Sequence, residues 1–307
     1  MSMAARWIIG HGLLGSAVDR ARRDPAQHTS VRWHDPKLAT TDLIGGLRRA
    51  TSGTSDLEIY WCAGKGVTST PAAQLHAEVR VFARFLDELR TIDARVLERV
   101  TFFLASSVGG AYAGTPAPPY SERSPTTPLS DYGRAKLRME SLLTEATTDG
   151  AWRSVIARIT NLYGPGQNPA KAQGLISVLA NGNVTGRPVN VYVSLDTLRD
   201  YIYEDDAARV IDAAMLRLRG VDPGTTVMKL VGAMRAVSIG AILGEITRIR
   251  RRRGAVVLGQ GDATGQATDL RIRSEVWNDL DALVSTTFPE GIDHVFRAAL
   301  SRRAHGG

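Results

Sequence analysis

The chain of 307 residues contains one cysteine, Cys62. A single thiol cannot close a disulfide within the chain, and Cys62 sits in an apolar run, which predicts a buried residue in a reducing compartment, the cytoplasm. Long hydrophobic runs are also missing. The apolar stretch at residues 4–9 is short and ends in glycines, and nothing approaches the roughly eighteen apolar residues of a membrane span, so neither a membrane protein nor a secretory leader is expected. No internal repeat or low-complexity tract is found, which argues against solenoids and disordered tails. Neither sign of charge is scarce: 38 basic against 31 acidic residues leave +7. A positive field draws small diphosphates as readily as nucleic acid, so charge does not choose a ligand.

What is present has the composition of an ordinary globular protein, 43% hydrophobic and 22% charged, at a length that suggests about two domains. Near the start, an apolar strand runs into Gly10-x-Gly12-x-x-Gly15 and then a helix. Glycines there permit a tight turn, so that Gly10, Gly12, Leu13, Leu14 and Gly15 can bring backbone amides to a pyrophosphate. The next strand is read at residues 29–34 and ends at Asp35. An acidic residue about twenty positions past the last glycine is where the ribose 2′-hydroxyl of NAD is held. Asp35 also reads as a cap or turn residue before Pro36. Arg32 and Lys37 flank it and could take the 2′-phosphate of NADP instead; the carboxylate favours NAD.

A helix follows at residues 42–50, then a strand at 57–62 running into Ala63 and Gly64, small residues that leave room for a ligand. In the helix at 71–89, Leu75, Val79, Phe82, Leu86 and Leu89 form a core stripe. Val81 and Phe85 lie beyond it, and this surplus predicts a homodimer in which this helix and the Tyr132 helix meet their two-fold mates as a four-helix bundle. A strand at 100–105 delivers Ser106 and Ser107, a Pro-rich loop spans 115–128, and a further strand at 154–159 leads to Asn161. Alternating strands and helices predict an α/β fold, a Rossmann-like doubly wound parallel sheet with its ligands at the carboxyl ends.

Beyond Gly164 the pattern loosens into a helix at 174–181, strands at 189–193 and 227–231, and a helix from Ser238. That helix ends in the run Arg248 to Arg253, read as cations at a helix C-terminus capped by Gly254 rather than as a nucleic-acid patch. The expected division is a dinucleotide-binding domain at 1–163, joined by 202–232, with a smaller discontinuous substrate domain at 164–201 and 233–307. No residue is assigned to a metal.

The chemistry centres on Ser130-Asp-Tyr-Gly-Arg-Ala-Lys136. On a helix, Tyr132 and Lys136 share one face and can converge on one point. A free tyrosine titrates near 10, and a nearby lysine charge favours the phenolate, bringing such a group toward proton transfer at neutral pH.

Set in order along the chain, Ser106-Ser107 ahead of Tyr112, Glu122 before a Pro-rich turn, Tyr132-x-x-x-Lys136, Arg158-x-x-Asn161-x-Tyr-Gly-Pro-Gly166 and Arg199-Asp-Tyr-Ile-Tyr-Glu-Asp-Asp206 resemble the extended short-chain dehydrogenase/reductases. Specifically, the chain resembles the NAD-dependent epimerase/dehydratase family that acts on nucleotide-linked sugars. The resemblance implies that Tyr132 is the general acid/base, that Lys136 holds the nicotinamide ribose, and that Ser107 hydrogen-bonds the reacting oxygen. It places Ala63, Gly64 and Ile159 along the cofactor, Asn161 and Arg199 on the sugar diphosphate, and Asn190 and Tyr192 at the base.

The sequence departs from the family in four places. Ile9 stands at the family's first glycine. The residue four before Tyr112 is Val108, with Ser107 five before it. No acidic residue adjoins this serine, which argues against dehydration and decarboxylation. Few residues separate Asp35 from the strand at 57, so the strand flanking the adenine is shortened or absent. The expected activity is reduction at carbon 4 of a nucleotide deoxysugar; the alternatives are a nucleotide-sugar 4-epimerase and a non-catalytic nucleotide-sugar-binding protein. No nucleic-acid or membrane partner is expected.

Overall fold

The computed structural model describes residues 4–52, 56–168, 174–259 and 267–305. The first half of the chain runs through β1 (Ala5–Ile9), α1 (Leu13–Arg20), β2 (Ala26–His28), α2 (Pro36–Ala50), β3 (Leu57–Trp61), α3 (Ala72–Leu89), a short α4 (Ala94–Leu97), β4 (Val100–Ser107), α5 (Val108–Tyr112), α6 (Asp131–Gly150) and β5 (Arg153–Ile159). Then come β6 (Asn161–Tyr163), α7 (Leu175–Thr185), β7 (Val189–Val191), β8 (Leu198–Tyr203), α8 (Glu204–Leu218) and β9 (Thr226–Val231). Last are β10 (Ala236–Ser238), α9 (Ile239–Arg250), β11 (Val256–Leu258), β12 (Asp269–Leu270), a 3₁₀ turn at Asn278–Leu283 and α10 (Phe288–His305).

The main sheet has the order β2-β1-β3-β4-β5-β9, and every pair in it is parallel. Parallel strands need coverage on both faces, and the sequence supplies it by alternation. Trp7, Ile9, Ile59, Trp61, Phe102 and Leu104 face a core built with α2, α3 and α6. Ile8, Tyr60, Phe103 and Val155 face the opposite core with α1 and α8. A second sheet joins β10, β8 and β12, with β6 also on β8, and a small third sheet pairs β7 with β11. Tyr163, Tyr201 and Tyr203 pack there against α7, α9 and α10.

Several expectations need correction. The strand read at 29–34 lies earlier, at Ala26–His28, and residues 29–34 connect it to α2. Their apolar side chains cover the core instead of pairing: Val31 and Trp33 pack on the α2 side, and Thr29 Oγ1 accepts from the Trp7 indole at 3.1 Å. Helix α2 begins at Pro36, not at residue 42, because Asp35 caps it. No strand pairs outside β2 among the described residues, so the strand that would flank the adenine is absent there. Helix α9 is closed by Arg251 in the left-handed region (φ 48°), ahead of Gly254. Val81 and Phe85 are not surplus surface, since both are buried in the chain's own core. The outward residues of α3 and α6 include Arg80, Arg84, Asp87, Arg134, Arg138 and Glu145, so a dimer built on these helices would bring charged faces together.

Candidate active site

The carboxyl ends of β1, β3, β4 and β5 open on one edge of the sheet, and the chemistry-bearing residues gather there. At β1, Gly10 has φ +93° and a side chain on it would lie 2.5 Å from the Ala63 backbone, so the β1 turn and the end of β3 touch. At Gly15 a Cβ would stand 2.0 Å from the Gly10 carbonyl, which fixes the close entry of α1. Gly12 differs: a Cβ there would meet nothing within 4 Å. The first turn of α1 carries no acidic residue and no capping side chain. Open space over uncapped amides at a helix start suits a pyrophosphate, so Gly10, Gly12, Leu13, Leu14 and Gly15 fit the dinucleotide expected of them. Ile9, at the family's first glycine position, is simply the last buried residue of β1.

Asp35 does not fit its role. Its carboxylate accepts from the amides of Lys37 (2.7 Å) and Leu38 (3.2 Å), and these backbone bonds hold its pKa below the usual carboxylate value. The residue that ends β2 is His28, and Asp35 lies beyond the connecting loop. Arg32, considered for NADP, grips Asp42 through its Nε (2.9 Å) and Nη2 (2.6 Å).

The Tyr132 ring is seated between two glycines. A Cβ on Gly66 would lie 3.3 Å from its Cδ2, and one on Gly110 3.4 Å from its Cε1. Lys136 is buried one turn on, its Nζ 5.9 Å from the Tyr132 ring centroid and donating to Ala105 O at 3.2 Å. It also lines Gly64, where a Cβ would stand 3.2 Å from Nζ. Facing Lys136 across Gly64 is Glu78 of α3, whose Oε1 would be 3.0 Å from the same Cβ. The sequence reading took α3 as a core stripe and a dimer surface and missed Glu78; no spacing rule signals it.

Beneath this pair runs a buried polar network. Glu140, one turn beyond Lys136 on α6, pairs with Arg158 Nη2 of β5 (2.6 Å) and accepts from Ser106 Oγ of β4 (2.5 Å). Arg158 Nη1 donates to the Tyr112 hydroxyl of α5 at 2.6 Å. Three elements, β4, α5 and β5, are thus locked to the Tyr132 helix, and the family motif residues Ser106, Tyr112 and Arg158 act as its supports. Glu122 is a staple of a similar kind: it accepts from the amides of Leu230 (2.9 Å) and Glu275 (2.8 Å) and from Ser274 Oγ (2.6 Å).

Ser107 ends β4 and caps α5, accepting from the Gly110 amide at 3.1 Å. With Val108, Gly109, Ile159, Thr160, Asn161 and Leu270 it lines a cavity of about 60 Å³. Val108 is buried in a small apolar cluster, so the serine keeps the polar place on the cavity wall. Leu270 and Thr160 were not foreseen; Leu270 arrives on β12, too short a strand to read in advance. Asn161 donates to Asp200 O at 2.8 Å.

Arg199 is buried on β8, between β10 and β12. It donates to Leu198 O (2.9 Å) and Ala267 O (2.5 Å), which leaves guanidinium donors unspent. No carboxylate lies within ion-pair distance of it among the described residues, and burial lowers its pKa. The Asp269 carboxylate opposes this effect from beyond ion-pair distance, and a buried cation is stabilised further by an anion. Tyr192 lies apart from this cavity, half-exposed beyond β7, in a groove of about 500 Å³ formed with Val191, Val193, Ser194, Leu195, Leu258 and Gly259. Asn190 is exposed and does not line that groove.

Residues 10–228 match the model of the NAD dependent epimerase/dehydratase family. The chain belongs to this family. Two curated relatives are the dTDP-4-dehydro-6-deoxyglucose reductase of Escherichia coli, 32% identical over 36% of this chain, and the UDP-glucose 4-epimerase of Azospirillum brasilense, 30% identical over 46% of it. The matched stretches span 34% and 47% of those proteins. Among solved structures, MoeE5 in complex with UDP-glucuronic acid and NAD superposes with a TM-score of 0.77 at 20% identity, covering 98% of this chain and all of that one. The Thermus thermophilus UDP-glucose 4-epimerase complex with NAD gives 0.76 at 18% identity, over 97% of this chain and 99% of that one. The family fold is thus the Rossmann-like fold described above, the family is one of enzymes, and its cofactor is NAD. No described helix is long and apolar enough to cross a membrane.

Proposed function

We propose that this family member transfers hydride at a carbon of a nucleotide-linked hexose, and that it is a 4-ketoreductase of a nucleotide deoxysugar. The observation that carries the reading is the seating of Tyr132 between Gly66 and Gly110, with Lys136 buried behind it. NAD, or NADP in its place, supplies the hydride chemistry when bound. Tyr132 gives a proton to the carbon 4 oxygen as hydride arrives and takes one in the reverse direction, Lys136 holds the nicotinamide ribose, and Ser107 donates to the same oxygen. Arg199, with its unspent donors, and Asn161 take the sugar diphosphate, and Tyr192 takes the base, with Asn190 outside the groove that holds it.

Reductase is favoured over 4-epimerase by the sheet edge. With β2 outermost, the adenine end makes fewer contacts, which suits a cofactor exchanged every turnover better than one retained through an epimerisation cycle. Both activities are represented among the relatives. A non-catalytic sugar-nucleotide-binding role is disfavoured because the tyrosine and lysine are both in place. The test is purified protein with added NADH or NADPH and a 4-keto-6-deoxyhexose nucleotide, for which stoichiometric oxidation of the cofactor is expected. NAD that survives gel filtration, together with interconversion of glucose and galactose nucleotides without added cofactor, would reverse the order of the two activities.

A further inference from the structure

Away from Tyr132, one cluster of metal-ligating side chains stands out. His11 lies between Gly10 and Gly12 in the β1–α1 turn, Asp19 is in the last turn of α1, and His28 ends β2. Their nitrogen and oxygen ligand atoms all lie within 4.8 Å of one another. We propose that His11, Asp19 and His28 form a binding site for a first-row transition ion, Zn²⁺ in the first place, with a fourth position left to water.

The spacing supports a shared ion better than hydrogen bonds. His28 Nε2 stands 3.3 Å and His11 Nε2 3.7 Å from the same Asp19 oxygen, both longer than the roughly 2.7–3.2 Å of an N–H···O bond. Two ligand atoms each about 2.0–2.1 Å from one tetrahedral ion are separated by about 3.3 Å. The two imidazoles meet edge to face, centroids 4.4 Å apart, so both rings can turn a nitrogen toward the carboxylate. Two imidazoles and a carboxylate suit Zn²⁺ and its neighbours in the series rather than Mg²⁺ or Ca²⁺.

Charge and access point the same way. Asp19 has no lysine or arginine within ion-pair distance among the described residues, while neighbouring Arg20 and Arg22 are committed to Asp205 and to Glu58 with Asp212. In a chain with a net positive charge, a carboxylate met only by imidazoles is an unclaimed anion. The three side chains are 48%, 31% and 42% exposed, so an ion enters without movement of the fold and with little desolvation. The site draws His11 from the glycine turn but no residue of the Tyr132 cavity, and it stands whether or not the sugar-nucleotide reading holds.

The test is titration of metal-stripped, tag-free protein with Co²⁺, followed by visible absorption, and then displacement by Zn²⁺. One ion per chain is expected, with the absorption of a low-symmetry four-coordinate site. Asp19→Asn and His28→Ala should each weaken binding tenfold or more, and His76→Ala, at an exposed histidine on α3, should leave it unchanged. Zn²⁺ should also raise the Tm of the parent protein and not that of the Asp19→Asn, His28→Ala double variant, read under identical conditions. Absence of stoichiometric binding, or binding that persists in the double variant, overturns the site.

Discussion

Gly133, the residue after Tyr132, offers a test in which two accounts of the structure give opposite signs. A Cβ built on it would lie 2.2 Å from the Gly110 carbonyl oxygen and 2.9 Å from Pro128 Cβ. Carbon and carbonyl oxygen ordinarily meet at about 3.3 Å or more, so in Gly133→Ala helices α5 and α6 must part by about 1 Å. Overpacking of this kind costs about 1–3 kcal/mol, against which the helix gains about 1 kcal/mol from replacing glycine. The net expectation is a loss of up to about 2 kcal/mol. Gly244 in α9 is the matched control, since a Cβ there meets nothing within 4 Å; Gly244→Ala should stabilise by about 0.5–1 kcal/mol. Urea denaturation of the two variants beside the parent reads both signs at once. Because the same 1 Å displaces Tyr132, turnover of Gly133→Ala should fall by about a hundredfold. A Gly133→Ala protein that gains stability as the control does, with parental turnover, would refute the close approach of α5 and α6 and the positioning argument with it.

Four further outcomes are expected. Tyr132→Phe keeps the ring between Gly66 and Gly110 but removes the proton, so nucleotide-sugar binding should be nearly unchanged and turnover reduced about a hundredfold to ten-thousandfold; ordinary turnover removes Tyr132 from the mechanism. Arg199→Ala should mainly raise KM, because it withdraws the buried donors assigned to the diphosphate; an unchanged KM would contradict that assignment. Burial raises the pKa of Glu204, so the folded state holds its proton more tightly than the unfolded chain does. Stability from this group is therefore greatest at low pH and falls as pH rises from about 4.5 through the raised folded value; Glu204→Gln should flatten that slope in acid-to-neutral denaturation series, and an unaltered slope would contradict it. Asp35→Ala should lower Tm by loss of the α2 cap and leave the NADH-to-NADPH preference unchanged; a shift in preference would return Asp35 to the ribose.

The sequence was most legible where one local rule governs many residues. Unbroken apolar runs along Trp7-Ile8-Ile9 and Ile59-Tyr60-Trp61, buried on both faces and ending in small residues, place the parallel sheet and the edge that carries the site. Tyr132 and Lys136 are likewise fixed by helix geometry alone. The misreading at residues 29–34 arose because Val31 and Trp33 have strand-like chemistry, yet their burial comes from packing against α2 rather than from a ladder. Glu78, Leu270 and the His11, Asp19, His28 cluster are brought together across distant elements, and nothing in their sequence spacing encodes that. Asp35 shows the same limit: both of its readings obeyed a local rule, and only the position of β2 decided for the cap.

The last strand of the main sheet carries a consequence for how the protein is made. β9 pairs with β5 only after the intervening β6, α7, β7, β8 and α8 have been synthesised. Its Lys229 ammonium is buried and is held by Ser274 Oγ and Asp281 Oδ1, each at 2.6 Å. An unpartnered ammonium at that depth is costly, so β9 gains its full stability only when residues 274–281 have left the ribosome. Until then β5 is an open, largely apolar edge on a growing chain, the kind of surface that nascent polypeptides most need shielded from one another.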